Sequence, residues 1–291
     1  MNVKVIAQTT AHCGDINAIQ LFGEGGYYAT ASSDKQIRIW QVTSGLEMVT
    51  LAGHYNRVTD LWVNPDRSRL YSCSEDKSLR IWDLASGLEQ AVLRGHENRL
   101  LALAVTPDER WAATAGRDGL VKIWDLSQRE EKPRYTLQGH QGWVTTLLLD
   151  QRDGTLLSGG RDGTVQRWEI ASGRSLGRVV AEPLPMMTAP LRQTPNGEFL
   201  VAGSDGTIRV LGEGKTWRIA GHGDWVTAMV LNQSATHLYS ASRSGELRCW
   251  ELATGSLEWE LQLEQAIGAM AWLRDGRMLV GDCKGQLHWI A

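Results

Sequence analysis

Four times along the chain a histidine, a hydroxyl, an aspartate and a tryptophan recur at the same offsets. The sets are His12, Thr30, Asp34 and Trp40; His54, Ser72, Asp76 and Trp82; His96, Thr114, Asp118 and Trp124; and His140, Ser158, Asp162 and Trp168. In each, the first three residues lie 28, 10 and 6 positions before the tryptophan. A hydroxyl, an imidazole and a carboxylate are the parts of a hydrolytic triad. That chemistry needs a free oxygen facing a substrate and donors for the developing charge. The tryptophan points to a different use. Indole can only donate, so it donates to the hydroxyl. The hydroxyl then donates to one imidazole nitrogen, and the other ring N–H donates to the carboxylate. Every polar group is satisfied and none remains for a substrate. Copies at one set of offsets describe a building rule, so no residue is assigned a catalytic role.

A building rule needs a repeated scaffold. Aligned on the tryptophan, the repeat falls at Trp40, Trp82, Trp124, Trp168 and Trp250, with Leu211 and Ile290 in the same slot of two further copies. The spacings are 42, 42, 44, 43, 39 and 40 residues. Residues 88–126 show one copy in full: strand-like "LEQAVL", the turn "RGHEN", "RLLALAV", the turn "TPDER", "WAATAG", a tight "RDG" turn and "LVKIWDL". No helical periodicity is present. Strands apolar on both sides suit sheets packed between neighbours. Four short strands every 40 or so residues predict propeller blades, and seven copies fill residues 1–291 as a single domain.

The bulk composition narrows the function. Net charge is −3 with a pI near 6.2, and no Lys/Arg-rich run occurs, which disfavours a nucleic-acid binder. Cys13, Cys73, Cys249 and Cys283 form no CxxC pair, so no metal site or cofactor is expected. Scattered free cysteines and an opening segment without a long apolar core predict a reducing, cytoplasmic setting. No apolar run reaches the ~18 residues of a membrane span.

The residues resemble a known family. "GH" at 53–54, 95–96, 139–140 and 221–222, and "WD" at 82–83 and 124–125, are similar to the signature of WD-repeat β-propellers. The resemblance covers residues 2–291. It implies an all-β fold: a seven-bladed β-propeller of four-stranded antiparallel blades, monomeric by itself. It also implies that the histidine sets are structural tetrads. The last copy stops after its third strand, and "NVKVIAQ" is a spare strand at the start. We expect that strand to pair into the last blade and leave no long open edge. Three copies depart from the tetrad. The sixth has His222, Ser240 and Trp250 but Ser244 in the aspartate slot. The seventh has Leu263, Val280, Lys284 and Ile290, and the fifth has Pro183, Val201, Asp205 and Leu211. His237 and His288 read as lone histidines.

What the resemblance implies about function is recognition by a non-catalytic scaffold or adaptor. Contacts are expected from the third and fifth residues after each histidine and from the residue before each turn aspartate. Carried over, the candidates are Arg57, Arg99, Leu101, Arg117, Trp143, Arg161, Trp225 and Arg243, with Asn17, Thr59, Thr145 and Thr227 in further fifth positions. Arg57, Arg99, Arg117, Arg161 and Arg243 face only Asp15 and Glu75 at these positions, a positive excess on an acidic chain. Arginine matches carboxylate and phosphate as a two-pronged fork, and Arg and Trp are enriched at interface hot spots. The expected partner is a protein, within a complex, presenting an acidic or phosphorylated segment. Two alternatives stand beside this reading. Nucleic acid could stack on and pair with the same face. An enzyme could use the inner strands, where Asp60 and Arg192 are almost the only ionisable groups.

Overall fold

The computed structural model describes residues 3–128, 132–150, 152–179, 185, 191–212, 215–219 and 221–291. Among them every regular element is a strand. The strands pair into seven four-stranded antiparallel sheets, and the chain divides into two compact units, residues 17–183 and residues 1–16 with 184–291.

The opening strand β1 (Val5–Thr10) belongs to the second unit. In the first unit, blade one contains β2 (Ile16–Phe22), β3 (Tyr27–Ser32), β4 (Gln36–Gln41) and β5 (Glu47–Ala52). Blade two contains β6 (Val58–Val63), β7 (Arg69–Ser74), β8 (Ser78–Asp83) and β9 (Glu89–Arg94). Blade three contains β10 (Leu100–Val105), β11 (Trp111–Gly116), β12 (Val121–Asp125) and β13 (Tyr135–Leu137). Blade four contains β14 (Val144–Leu149), β15 (Leu156–Gly160), β16 (Val165–Glu169) and β17 (Arg174–Arg178).

In the second unit, blade five contains β18 (Arg192–Gln193), β19 (Phe199–Ala202), β20 (Ile208–Gly212) and β21 (Lys215–Ile219). Pro183 and residues 186–190, which begin the inner strand expected there, lie outside the described residues. Blade six contains β22 (Val226–Leu231), β23 (His237–Ser242), β24 (Glu246–Glu251) and β25 (Leu257–Gln262). Blade seven contains β26 (Ile267–Trp272), β27 (Met278–Asp282) and β28 (Gln286–Ile290), and its fourth strand is β1. Gln8 stands opposite His288 and Thr9 opposite Leu287. The opening strand therefore completes the last blade, as its spare position predicted, and covers an otherwise open edge.

The second strand of each blade is buried along nearly its whole length. Between blades one and two, Ile37, Leu51, Val58, Leu61, Leu70 and Trp82 form one buried cluster. Between blades three and four, Ala113, Ile123, Val144, Leu156 and Trp168 do the same. In the second unit, Val210, Ile219, Val226, Leu238 and Trp250 join blades five and six. Each fully buried large apolar side chain contributes about 1.5–3 kcal/mol, so these seams hold neighbouring sheets together.

Polar clasps add direction to the seams. Asn17 Nδ2 donates to Val58 O at 2.8 Å, and Thr59 Oγ1 donates to Leu100 O at 3.1 Å. Thr227 Oγ1 likewise donates to Ile267 O at 2.5 Å. Asp60 Oδ2 accepts from Leu103 N at 2.9 Å. Each ties the first strand of one blade to the first strand of the next.

The tight turn between the second and third strands imposes a left-handed residue. Gly119, Gly163, Gly206, Gly245 and Gly285 fill it with φ of 74–86°. A Cβ on Gly206 would lie 2.1 Å from His222 O, and one on Gly285 would lie 2.1 Å from His12 O. Blades one and two have room and place Lys35 (φ 76°) and Lys77 (φ 69°) there instead. The left-handed backbone costs a side-chain-bearing residue about 1–2 kcal/mol, more than the entropy glycine loses on folding. Lys77→Gly is therefore expected to stabilise the protein by about 0.5–1 kcal/mol, read as a higher urea midpoint. An unchanged or lower midpoint would refute the strain argument.

Candidate functional site

The hydrogen-bond chain inside a blade starts from the third strand. In blade two, Trp82 Nε1 donates to Ser72 Oγ at 2.8 Å, Ser72 Oγ donates to His54 Nε2 at 2.7 Å, and His54 Nδ1 donates to Asp76 Oδ2 at 2.8 Å. Blade three repeats it through Trp124, Thr114, His96 and Asp118 at 2.8, 2.9 and 2.7 Å. Blade four does so through Trp168, Ser158, His140 and Asp162 at 2.8, 2.8 and 3.1 Å. In blade one, Trp40 Nε1 donates to Thr30 Oγ1 at 2.9 Å, Asp34 Oδ1 accepts from Gln36 N at 3.0 Å, and His12 is buried. Thr30, Ser72, Thr114 and Ser158 are fully buried. A nucleophile must meet its substrate, and these oxygens reach no solvent.

Burial lowers the basicity of His54 and His140 more than their carboxylate partners raise it. For Asp76, Asp118 and Asp162 burial acts upward. The hydrogen bonds they accept, led by His54 for Asp76 and by His96 for Asp118, outweigh it and hold all three below the ordinary carboxylate range. The His54 and His140 rings are therefore neutral donors to ionised Asp76 and Asp162.

Three readings of the later copies need correction. Blade six has Ser244 in the aspartate slot, yet its chain is complete. Glu246, two residues further on, accepts from His222 Nδ1 at 3.0 Å, while Ser240 joins His222 and Trp250 at 2.7 and 2.8 Å. The extra methylene of glutamate spans the longer path. His288 is not a lone histidine, since its Nε2 meets Asp282 Oδ2 at 2.9 Å with both residues buried. Nor is His237, whose Nε2 lies 3.1 Å from Glu258 Oε1. In blade five the turn aspartate, Asp205, is engaged by buried Arg209 in place of a histidine. Its carboxyl is held low chiefly by the Arg209 hydrogen bond.

The surface candidates are positioned by a bulge at the start of each blade's first strand. Pairing slips between Val58 and Asp60, Leu100 and Ala102, Val144 and Thr146, and Val226 and Ala228. One backbone bond sits beside each slip. Glu75 N donates to Arg57 O at 2.9 Å, Arg117 N to Arg99 O at 2.9 Å, Arg161 N to Trp143 O at 2.8 Å and Arg243 N to Trp225 O at 2.9 Å. The third residue after the histidine thus becomes the neighbour of the residue before the turn aspartate.

In the first unit this brings Arg99 and Arg117 of blade three and Trp143 and Arg161 of blade four into one cluster. Glu75 joins it, with Oε2 2.9 Å from Arg99 Nη1 and Oε1 3.2 Å from Arg117 Nη2. The guanidinium carbons of Arg117 and Arg161 each lie 4.2 Å from the centre of the Trp143 ring. Arg161 is exposed, and its guanidinium makes no ion pair or hydrogen bond among the described residues. Buried Arg117 Nε has no acceptor. Burial first, and then the charge of Arg117, push Arg161 below its ordinary range. Arg57 enters through its backbone carbonyl, and Leu101 is half-buried on β10. In the second unit Arg243 lies over Trp225 at 5.5 Å.

Glu75, the counter-ion of the cluster, is the residue whose role sequence reasoning missed. Its signal was an acid in a position that holds Arg117, Arg161 and Arg243 in blades three, four and six. The fifth positions behave differently from the third. Asn17, Thr59 and Thr227 have side chains that clasp the next blade's backbone. The inner-strand candidates are also engaged: Asp60 accepts backbone N–H groups of Leu61 and Leu103, and Arg192 donates to Met229 O at 2.9 Å. Among the described residues no three His, Cys, Asp or Glu side chains gather as a metal site requires.

Known families account for the repeat. Residues 3–41, 45–83, 87–125, 131–169, 191–210 and 214–251 match the family described as WD domain, G-beta repeat. Four of the matched stretches cover blades one to four, and the last two fall on blades five and six. No curated protein matches the chain. The matched stretches make up most of the sequence, so the protein belongs to the WD-repeat β-propeller family.

Proposed function

We propose that this protein is a non-catalytic, cytoplasmic interaction scaffold that holds an acidic segment of a partner protein on the Arg99–Arg117–Trp143–Arg161 cluster. The observation that carries this reading is the unbalanced charge: three guanidiniums converge around one indole and one carboxylate. Guanidiniums stacked on an aromatic ring are oriented before a ligand arrives, which reduces the ordering cost of binding. WD-repeat proteins are commonly protein-interaction scaffolds, and the histidine sets here are engaged in internal bonds. The acidic net charge counts against a nucleic-acid partner.

The test is charge reversal. Arg161→Glu is expected to abolish co-purification of the native partner while the unfolding free energy from urea stays within about 0.5 kcal/mol, as for surface substitutions. Undiminished partner recovery from this variant would remove this face from consideration. A band shift with DNA or RNA that weakens steeply with salt would favour nucleic acid instead.

A further inference from the structure

We infer that the arginine pair on Trp143 reads a phosphorylated serine or threonine in the partner segment, in preference to an aspartate or glutamate. This rests on the acidic-segment reading above and narrows it. The first argument is charge. Among the described residues Arg99 and Arg117 share Glu75 as their ion-pair partner and Arg161 pairs with no carboxylate, leaving two positive charges. A carboxylate would neutralise one of them. A phosphomonoester carries about −1.5 to −2 at pH 7 and so matches both.

The second argument is the supply of donors. Glu75 already plays the carboxylate's part, with one oxygen on Arg99 and the other on Arg117. What remains is the whole Arg161 fork, exposed and without an ion pair or hydrogen bond among the described residues. The guanidinium carbons of Arg117 and Arg161 each lie 4.2 Å from the centre of one ring. Three terminal phosphoryl oxygens can accept from two forks at once, whereas a carboxylate fully engages one.

The third argument is crowding. Arg161 is displaced from its ordinary range by burial and by the charge of Arg117. Holding two cations on one indole is unfavourable until an anion arrives. Glu75 fixes Arg117 in place, so the crowding is not relieved by that side chain swinging away.

The experiment uses the full chain and three oriented peptide libraries, centred on phosphoserine, glutamate or serine and otherwise degenerate. Retention of the phosphoserine library at least 10-fold above the glutamate library is expected. Arg161→Gln is expected to erase that preference with its thermal melt unchanged. Arg161→Lys, which keeps the charge but loses the fork, should retain only part of it. Retention of the phosphoserine library should also rise between pH 5 and 7, as the second phosphate ionisation near 6 completes, while the glutamate library stays level. Equal retention of the phosphoserine and glutamate libraries would overturn the phosphate reading and leave the acidic-segment reading standing. Retention of none of the three would overturn both. A phosphoserine preference that survives Arg161→Gln would place recognition elsewhere and also overturn the inference.

Discussion

His96→Ala is expected to lower unfolding free energy by about 1–3 kcal/mol or somewhat more, the range for leaving buried hydrogen-bonding groups unsatisfied. Asp118 Oδ2 lies 2.7 Å from His96 Nδ1, and among the described residues no arginine or lysine pairs with it. Thr114 Oγ1, fully buried, loses its acceptor at the same time. Two backbone N–H groups, of Glu97 and Leu120, still reach Asp118 and limit the loss. His54→Ala should cost less, because Arg80 Nη2 stands 3.5 Å from Asp76 Oδ2 and can take over part of the histidine's role. The ordering of the two variants in urea unfolding is therefore the sharper readout. Equal losses would mean that Arg80 does not compensate. A loss at His96 within the noise would mean that the hydrogen-bond chain contributes nothing.

Acid is expected to destabilise the protein in two stages. His54, His140 and His222 are held below the ordinary imidazole value, first by burial. The unfolded chain therefore binds more protons than the folded one below about pH 6.5. Stability should be level above neutrality and fall as pH drops through that value. The slope is at most about 1.4 kcal/mol per pH unit for each histidine. Asp76, Asp118, Asp162 and Asp205 are also depressed. Their contribution is fully present above the ordinary carboxylate value and is lost below about pH 4. Urea midpoints measured from pH 8 to 5 should show the first stage as a decline beginning near 7. A flat profile to pH 5 would show that the folded rings protonate as easily as free imidazole. His222→Gln should reduce the slope if its burial contributes.

The repeat and the bonding order inside a blade were legible because both are short-range. A period near 42 residues follows from four short strands and their turns. The offsets 28, 10 and 6 follow from which residues stand side by side in paired antiparallel strands. Donor and acceptor inventories then left one way to connect Trp, hydroxyl, His and carboxylate. The pairing of β1 was legible for a similar reason: a blade short of a strand and a chain with a strand to spare.

Side-chain reach was not legible. Glu246 replaces an absent aspartate by being one methylene longer and two residues later, and a slot-by-slot comparison passes over it. Asp282 and His288 meet across a turn in a blade whose tetrad slots hold neither histidine nor carboxylate. Position in the repeat also does not say where a side chain is engaged. Thr59 and Thr227 stand in expected contact positions, yet they bond to the neighbouring blade.

By itself, then, the sequence determined the all-β blades, their number, the internal bonding of the histidines and the list of surface arginines. Those depend on local periodicity and on which atoms can donate. Only the tertiary structure decided that Arg117 and Arg161 stack on Trp143 while Arg99 and Arg117 share Glu75. These residues come from three blades, and nothing in a linear spacing measures the distance between a guanidinium of one blade and a ring of the next.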